Sequence, residues 1–180
     1  MDSSAQSLST PLKFGIITGL IYCVLIFCQN QFFYANPLQF TITKFLCYLI
    51  IITSFFYVGY LSRQELGGFI SFKECLRAIL LVILITELFY LVFSTLYVKY
   101  IDPSFFDKLK SSWIVYFNSH NVPQDKINDT IQKFNDAGKI TIVSLIQSFG
   151  FSLIIDSIFG VIIAAILKKN RPEFENQINP

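Results

Sequence analysis

Charge is what this sequence has least of. Asp, Glu, Lys and Arg make up 14% of the chain, where a soluble domain carries about a quarter. The net charge of +2 is small and dispersed, and no basic patch with interleaved aromatics occurs, which excludes nucleic acid as a partner. There is one histidine, His120, with no cysteine or histidine at ligand spacing, so it reads as a solvated loop residue and no metal site is expected. The four cysteines (Cys23, Cys28, Cys47, Cys75) lie in or beside apolar segments and lack C-x-x-C spacing, so they read as buried structural thiols. Nucleophile elbow, H-E-x-x-H and phosphate loop are all missing. No cofactor is expected, and the inventory is thin for an enzyme.

What the chain has instead is apolar surface. Hydrophobic residues make up 53%, with 20 phenylalanines, more than a core built from 180 residues can hide. The excess must face lipid. The fold class read from this is an all-α integral membrane protein: four transmembrane helices plus a helical extracytoplasmic loop between spans three and four. The chain reads as one membrane domain over residues 1–180, with spans at about 14–33, 40–61, 78–98 and 140–167. The first apolar stretch has no small-x-small cleavage site after it and is expected to stay as a membrane helix.

Local signals punctuate these spans. Thr10 and Pro11 read as N-cap and first helical residue of span one, and Asn36-Pro37 as a turn and fresh start. Gly67-Gly68 breaks the chain before Ser71-Phe72-Lys73-Glu74, a capping box in which Ser71 and Glu74 satisfy each other's amides, with Ile70 and Cys75 placed as a hydrophobic staple. Asp102-Pro103 stops span three, and Asp102 can cap a new helix with Pro103 at its first position. Phe106, Leu109, Trp113 and Phe117 then recur at helical spacing. They predict an amphipathic helix on the outer leaflet, with the sole tryptophan at headgroup depth. A second loop helix, about 123–137, carries Ile127, Ile131 and Phe134 and ends at Gly138. The extracytoplasmic insertion, 101–139, reads as a packed lid rather than as an independent ligand-binding domain.

Lysine and arginine placement sets the direction. The first loop has no charge, the second holds Arg63, Lys73 and Arg77, and the C-terminal end holds Lys168, Lys169 and Arg171. Both termini are therefore expected in the cytoplasm. The six lysines of the third loop are accompanied by five aspartates, and long loops obey the rule poorly.

Three stretches occur in a telling order: Gly67-Gly68-Phe69-Ile70-Ser71-Phe72-Lys73-Glu74, then Tyr100-Ile101-Asp102-Pro103-Ser104-Phe105, then an Ala-rich last span ending in Lys168-Lys169. Together with Lys13-Phe14-Gly15 to Gly19, they resemble the bacterial membrane family catalogued as domain of unknown function 4199. The resemblance runs over about residues 10–170. It implies four spans in a bacterial inner membrane and supplies no activity, substrate or catalytic residue.

Two acids stand inside spans. Glu87 lies roughly 14 Å and Asp156 roughly 16 Å from their cytoplasmic ends at 1.5 Å per residue, so they can meet near the midplane. Each is a candidate proton or ion site. The plainer reading is a protonated carboxyl bonded to Ser152, Ser157, Tyr90 or the other acid, fixing helix packing. Ser144, Ser148, Ser152, Asp156, Gly160 and Ala164 recur every fourth residue, and Gly15, Gly19 and Cys23 form a shorter ridge. Both read as packing faces between spans one and four. Lys44, near the outer end of span two, can snorkel to headgroups. The leading functional expectation is a small non-enzymatic membrane protein, a partner subunit or envelope component acting through helix packing and its outer loop. The alternative is a small oligomeric transporter or proton-coupled carrier using the midplane carboxyls. The expected partners are the bilayer and a second copy or another membrane protein.

Overall fold

The computed structural model describes residues 3–170, and within them there are six α-helices and no strand. Arg171 and the tail beyond it lie outside the described residues. Four helices are long and apolar enough to cross a bilayer: α1 (Ser3–Phe32), α2 (Pro37–Glu65), α3 (Phe72–Leu96) and α6 (Ile142–Leu167), with the apolar part of α1 running from Ser9 to Phe32. The hydropathy that makes them spans also shows on their outer faces. Val24, Phe45, Val92 and Ile154, one from each, are all more than half exposed near the middle of a span. No water-facing helix tolerates that, whereas lipid favours it.

The helix ends follow local chemistry. Asn36 accepts from the amides of Leu38 (3.1 Å) and Gln39 (3.2 Å), with Pro37 behind it. Ser71 and Glu74 close a complete capping box at the start of α3. Gly67 and Gly68 both take positive φ (76° and 85°), a backbone region glycine enters without a Cβ penalty, and Arg63 Nε donates to the Gly68 carbonyl to hold the turn. The start of α1 differs from the expected one. The helix begins at Ser3 and passes straight through Pro11, whose fixed φ suits a helix even though it withholds one amide, and the Thr10 hydroxyl donates to Glu65 instead of capping.

Helix α3 is the hub. It packs against α1, α2 and α6, while α1 and α6 lie on either side and each also touches α2. The two small-residue ridges therefore do not meet each other. A Cβ on Gly15 would come within 2.9 Å of Ile85, and one on Gly19 within 2.7 Å of the Phe89 ring, both on α3. Gly160 and Ala164 of α6 are buried against the other flank of α3, where a Cβ on Gly160 would lie 3.2 Å from Ile83. Small residues in lipid mark close approach of some helix, and here that helix is α3 for both ridges. The ridge on α6 also divides by role. Ser144 forms a capping box with Thr141 at the start of the helix, and Ser148 is exposed.

At one end of the bundle the α2–α3 turn is stitched to the end of α6 by a pair of backbone bonds between Ile70 and Lys169, both 2.9 Å. At the other end α3 widens into a π turn (Tyr97–Ile101), closed by the Asp102 amide on the Tyr97 carbonyl at 2.8 Å. Two short helices, α4 (Phe105–Ser119) and α5 (Gln124–Ala137), pack on each other as a lid over this end. Helix α4 starts after Ser104, later than Asp102-Pro103 suggests. Asp102 instead accepts from Ser104 Oγ (2.8 Å) and pairs with Lys108 at 2.9 Å. Desolvation works against that charge, but the Lys108 ammonium and the Ser104 hydroxyl hold the Asp102 carboxyl below the usual carboxylate range.

The α1–α3 approach gives a sharp test. Gly19→Leu has no room beside the Phe89 ring and should lower the detergent melting temperature, at a cost of about 1–3 kcal/mol typical of overpacking. Gly150→Leu, where a Cβ would meet nothing within 4 Å, should leave the melting temperature unchanged or raise it. Equal effects of the two substitutions would contradict the packing described.

Candidate functional site

Every span contributes a polar side chain to one level near its middle: Tyr22 from α1, Tyr48 from α2, Glu87 and Tyr90 from α3, Ser152 and Asp156 from α6. Glu87 is 4% and Asp156 2% exposed, and their carboxyls lie against each other with Ser152 beside Glu87. Tyr48 donates its hydroxyl to Asp156 Oδ1, and its ring is held edge-on by Phe159, 6.0 Å between centroids. Tyr22 and Tyr90 stack at 5.2 Å alongside.

The bonding of this cluster is incomplete. Glu87 Oε2 and Asp156 Oδ2 are buried without a donor, as is the neighbouring Thr86 Oγ1 on α3. Two ionised carboxylates only accept, so they cannot bond to each other, and one proton between them makes one a donor and satisfies both. The described residues place no lysine or arginine in an ion pair with either acid. They also contain no group of three or more metal-ligating side chains.

Two cavities meet this level. The larger, about 660 Å³, runs between α1, α2 and α3 under the lid. Tyr22, Tyr90 and Cys47 line it at mid-span, Gln29, Asn30 and Lys44 further out, and Trp113, Phe117 and Lys133 belong to the lid. The smaller, about 240 Å³, lies between α3 and α6 and reaches Glu87, with Ser144 and Ser148 on its wall. Tyr90, Ser94, Val98 and Phe106 belong to both walls, so a single layer of side chains separates the acid pair from the larger space. Trp113 is turned inward on its helix. It packs with Tyr97, Phe105 and Leu109 and faces the cavity. His120 is exposed in the turn between α4 and α5, its ring stacked on Tyr116 at 4.2 Å.

Sequence reasoning missed Tyr48 as the donor to Asp156. Lys44, exposed on α2, also lines the larger cavity. The polar patch Gln29-Asn30 was the one visible hint of that cavity, since amides in a span need a reason to be there.

The sequence profile of the family described as protein of unknown function (DUF4199) matches residues 13–169, nearly the full length. The chain belongs to this family. No curated protein and no solved structure matches it. Family membership leaves the chemistry of the site to be argued from its own residues.

The Tyr48 bond can be checked directly. Tyr48→Phe removes the hydroxyl that donates to Asp156 Oδ1 and leaves a second acceptor of that carboxyl without a donor, which should cost about 1–3 kcal/mol in unfolding stability. Tyr57→Phe, on the same helix, should be silent. Denaturation in mild detergent reads both.

Proposed function

We propose that this DUF4199 protein is a small proton-coupled carrier in which Glu87 and Asp156 hold and release a proton at the midplane. The observation that carries this reading is the donorless pair of carboxyl oxygens one side-chain layer away from a 660 Å³ cavity. Apolar residues of the same size would pack without a desolvation cost of about 2.5–3.5 kcal/mol for each charge. A proton relay does need such groups, and it needs them beside a compartment that can open to water. An assembly subunit is the second reading. It rests on the outer half of α6, where Ile142, Ile146 and Phe151 are about two-thirds exposed or more and Gly150 offers open space to a neighbouring helix.

The test is proton flux in liposomes under an imposed gradient, with infrared detection of a protonated carboxylic acid. Wild type should conduct and show the acid band. Glu87→Gln and Asp156→Asn should abolish flux while the fold survives, because an amide keeps the hydrogen bonds but cannot release a proton. Flux retained in both variants would remove the acids from the mechanism and favour the assembly subunit.

We place the protein in a bacterial inner membrane with both termini in the cytoplasm. Arg63, Lys73, Arg77, Lys168 and Lys169 gather at the end stitched by Ile70 and Lys169, while the α1–α2 turn at the opposite end carries no charge. That asymmetry is the positive-inside signal. In a background lacking the native cysteines, an impermeant maleimide applied to intact cells should label Ser111→Cys in the lid and spare Gln64→Cys. The reverse pattern would invert the topology.

A further inference from the structure

We propose that the cavity under the lid binds a single-chain amphiphile with an anionic headgroup, such as a fatty acid. The charge on its walls is of one sign. Lys44 from α2 and Lys133 from α5 are its only charged liners, no aspartate or glutamate faces it, and neither lysine forms an ion pair among the described residues. Both are exposed, so they stand at the edge of the cavity. The rest of the wall is largely apolar and aromatic, with Ile26, Phe40, Val98, Phe105 and Leu109 among its liners. An unpaired ammonium on a membrane-spanning helix calls for an anion, and an aromatic chamber beside it calls for an apolar tail.

Size selects one chain. At about 30 Å³ per heavy atom, the share of a water molecule in the liquid, a twelve-carbon acid of ~14 heavy atoms fills roughly 420 Å³, whereas a diacyl phospholipid of ~50 needs roughly 1,500 Å³. The cavity of about 660 Å³ is large enough for the first and smaller than the second. It also falls within the roughly 300–1,000 Å³ span of small-molecule sites. The buried amide of Gln29 is already engaged, donating to the Phe40 carbonyl at 3.1 Å, so headgroup recognition falls to the lysines. This assignment is independent of proton transfer by Glu87 and Asp156.

The chain supplies its own reporter, because Trp113, its only tryptophan, lines the cavity. The protein in nanodiscs of zwitterionic lipid is titrated with laurate brominated on its chain, which quenches tryptophan at close range. Saturable quenching is expected, displaced by plain laurate and by neither dodecanol nor dodecyltrimethylammonium. The Lys44→Gln/Lys133→Gln double variant should bind about tenfold more weakly or worse, the loss of at least one hydrogen bond to a charged group. Lys126→Gln, on α5 but outside the cavity, should bind as wild type, and Lys44→Arg should retain binding. Unchanged Trp113 emission without ligand shows that each variant keeps its lid. Linear quenching that is equal for anionic, neutral and cationic chains would overturn the site, leaving only partition into the bilayer. Saturable quenching indifferent to both lysines would overturn the headgroup assignment, and butyrate competing as well as laurate would overturn the acyl chain.

Discussion

The burial of two carboxyl groups among lipid-spanning helices is the constraint to which the bundle is fitted. Neither Glu87 nor Asp156 reaches water, so each needs partners from within the protein, and those partners must arrive at one height from separate helices. Setting Glu87 against Asp156 fixes the rotation and the axial position of α6 on α3. The Tyr48 hydroxyl then fixes α2 against α6. On the opposite flank, Gly15 and Gly19 let α1 sink onto Ile85 and Phe89. The attraction on that flank is van der Waals packing, the main force left between helices once lipid removes the hydrophobic effect. The hub position of α3 thus has two sources: polar pairing on one face and close backbone approach on the other.

What the sequence discloses and what it hides divide along the same line. Spans are legible because lipid demands long apolar segments, and the Ser71–Glu74 box is legible because all of its chemistry lies within four residues. The depth of Glu87 and Asp156 follows from a fixed rise per residue, so their placement near one level can be read by counting. Tyr48 cannot be found that way. A tyrosine in an apolar span has the same local signature whether its hydroxyl meets a carboxyl or a carbonyl, and the deciding partner is more than a hundred residues away. The small-residue ridges show the same limit, since spacing announces that a helix comes close and is silent on which one. Thr10-Pro11 misleads for a different reason: proline suits an early position in a helix as well as the first, so the helix can extend ahead of it.

The lid shows how one pattern serves two environments. Phe106, Leu109 and Trp113 form the same stripe on α4 whether they rest on lipid or on protein. The π turn at Tyr97–Ile101 inserts an extra residue at the end of α3, and Asp102, held by Ser104 and Lys108, turns the chain back so that the stripe faces inward. Tyr97, fully buried, meets the Phe105 ring edge-on at 5.6 Å and anchors the first turn of the lid to the bundle. A π turn is costly in regular helix geometry and persists where something depends on it. Here it positions the roof of the larger cavity.

The charges around the two cavities are sorted by sign, acids at mid-span and lysines nearer the lid end, with Tyr22 and Tyr90 between them. In a medium of low dielectric such groups act on each other across distances that water would screen. An anion seated at Lys44 and Lys133 would therefore raise the cost of a second negative charge below it and favour the protonated acid pair. By reciprocity, loss of that proton would weaken the hold on the anion by the same factor. If the lid cavity takes an anionic amphiphile and the acid pair takes a proton, each ligand biases the other without any helix having to move. The coupling that a proton-driven carrier requires is then present in the resting arrangement of charges, and motion of the lid has only to decide when either ligand can leave.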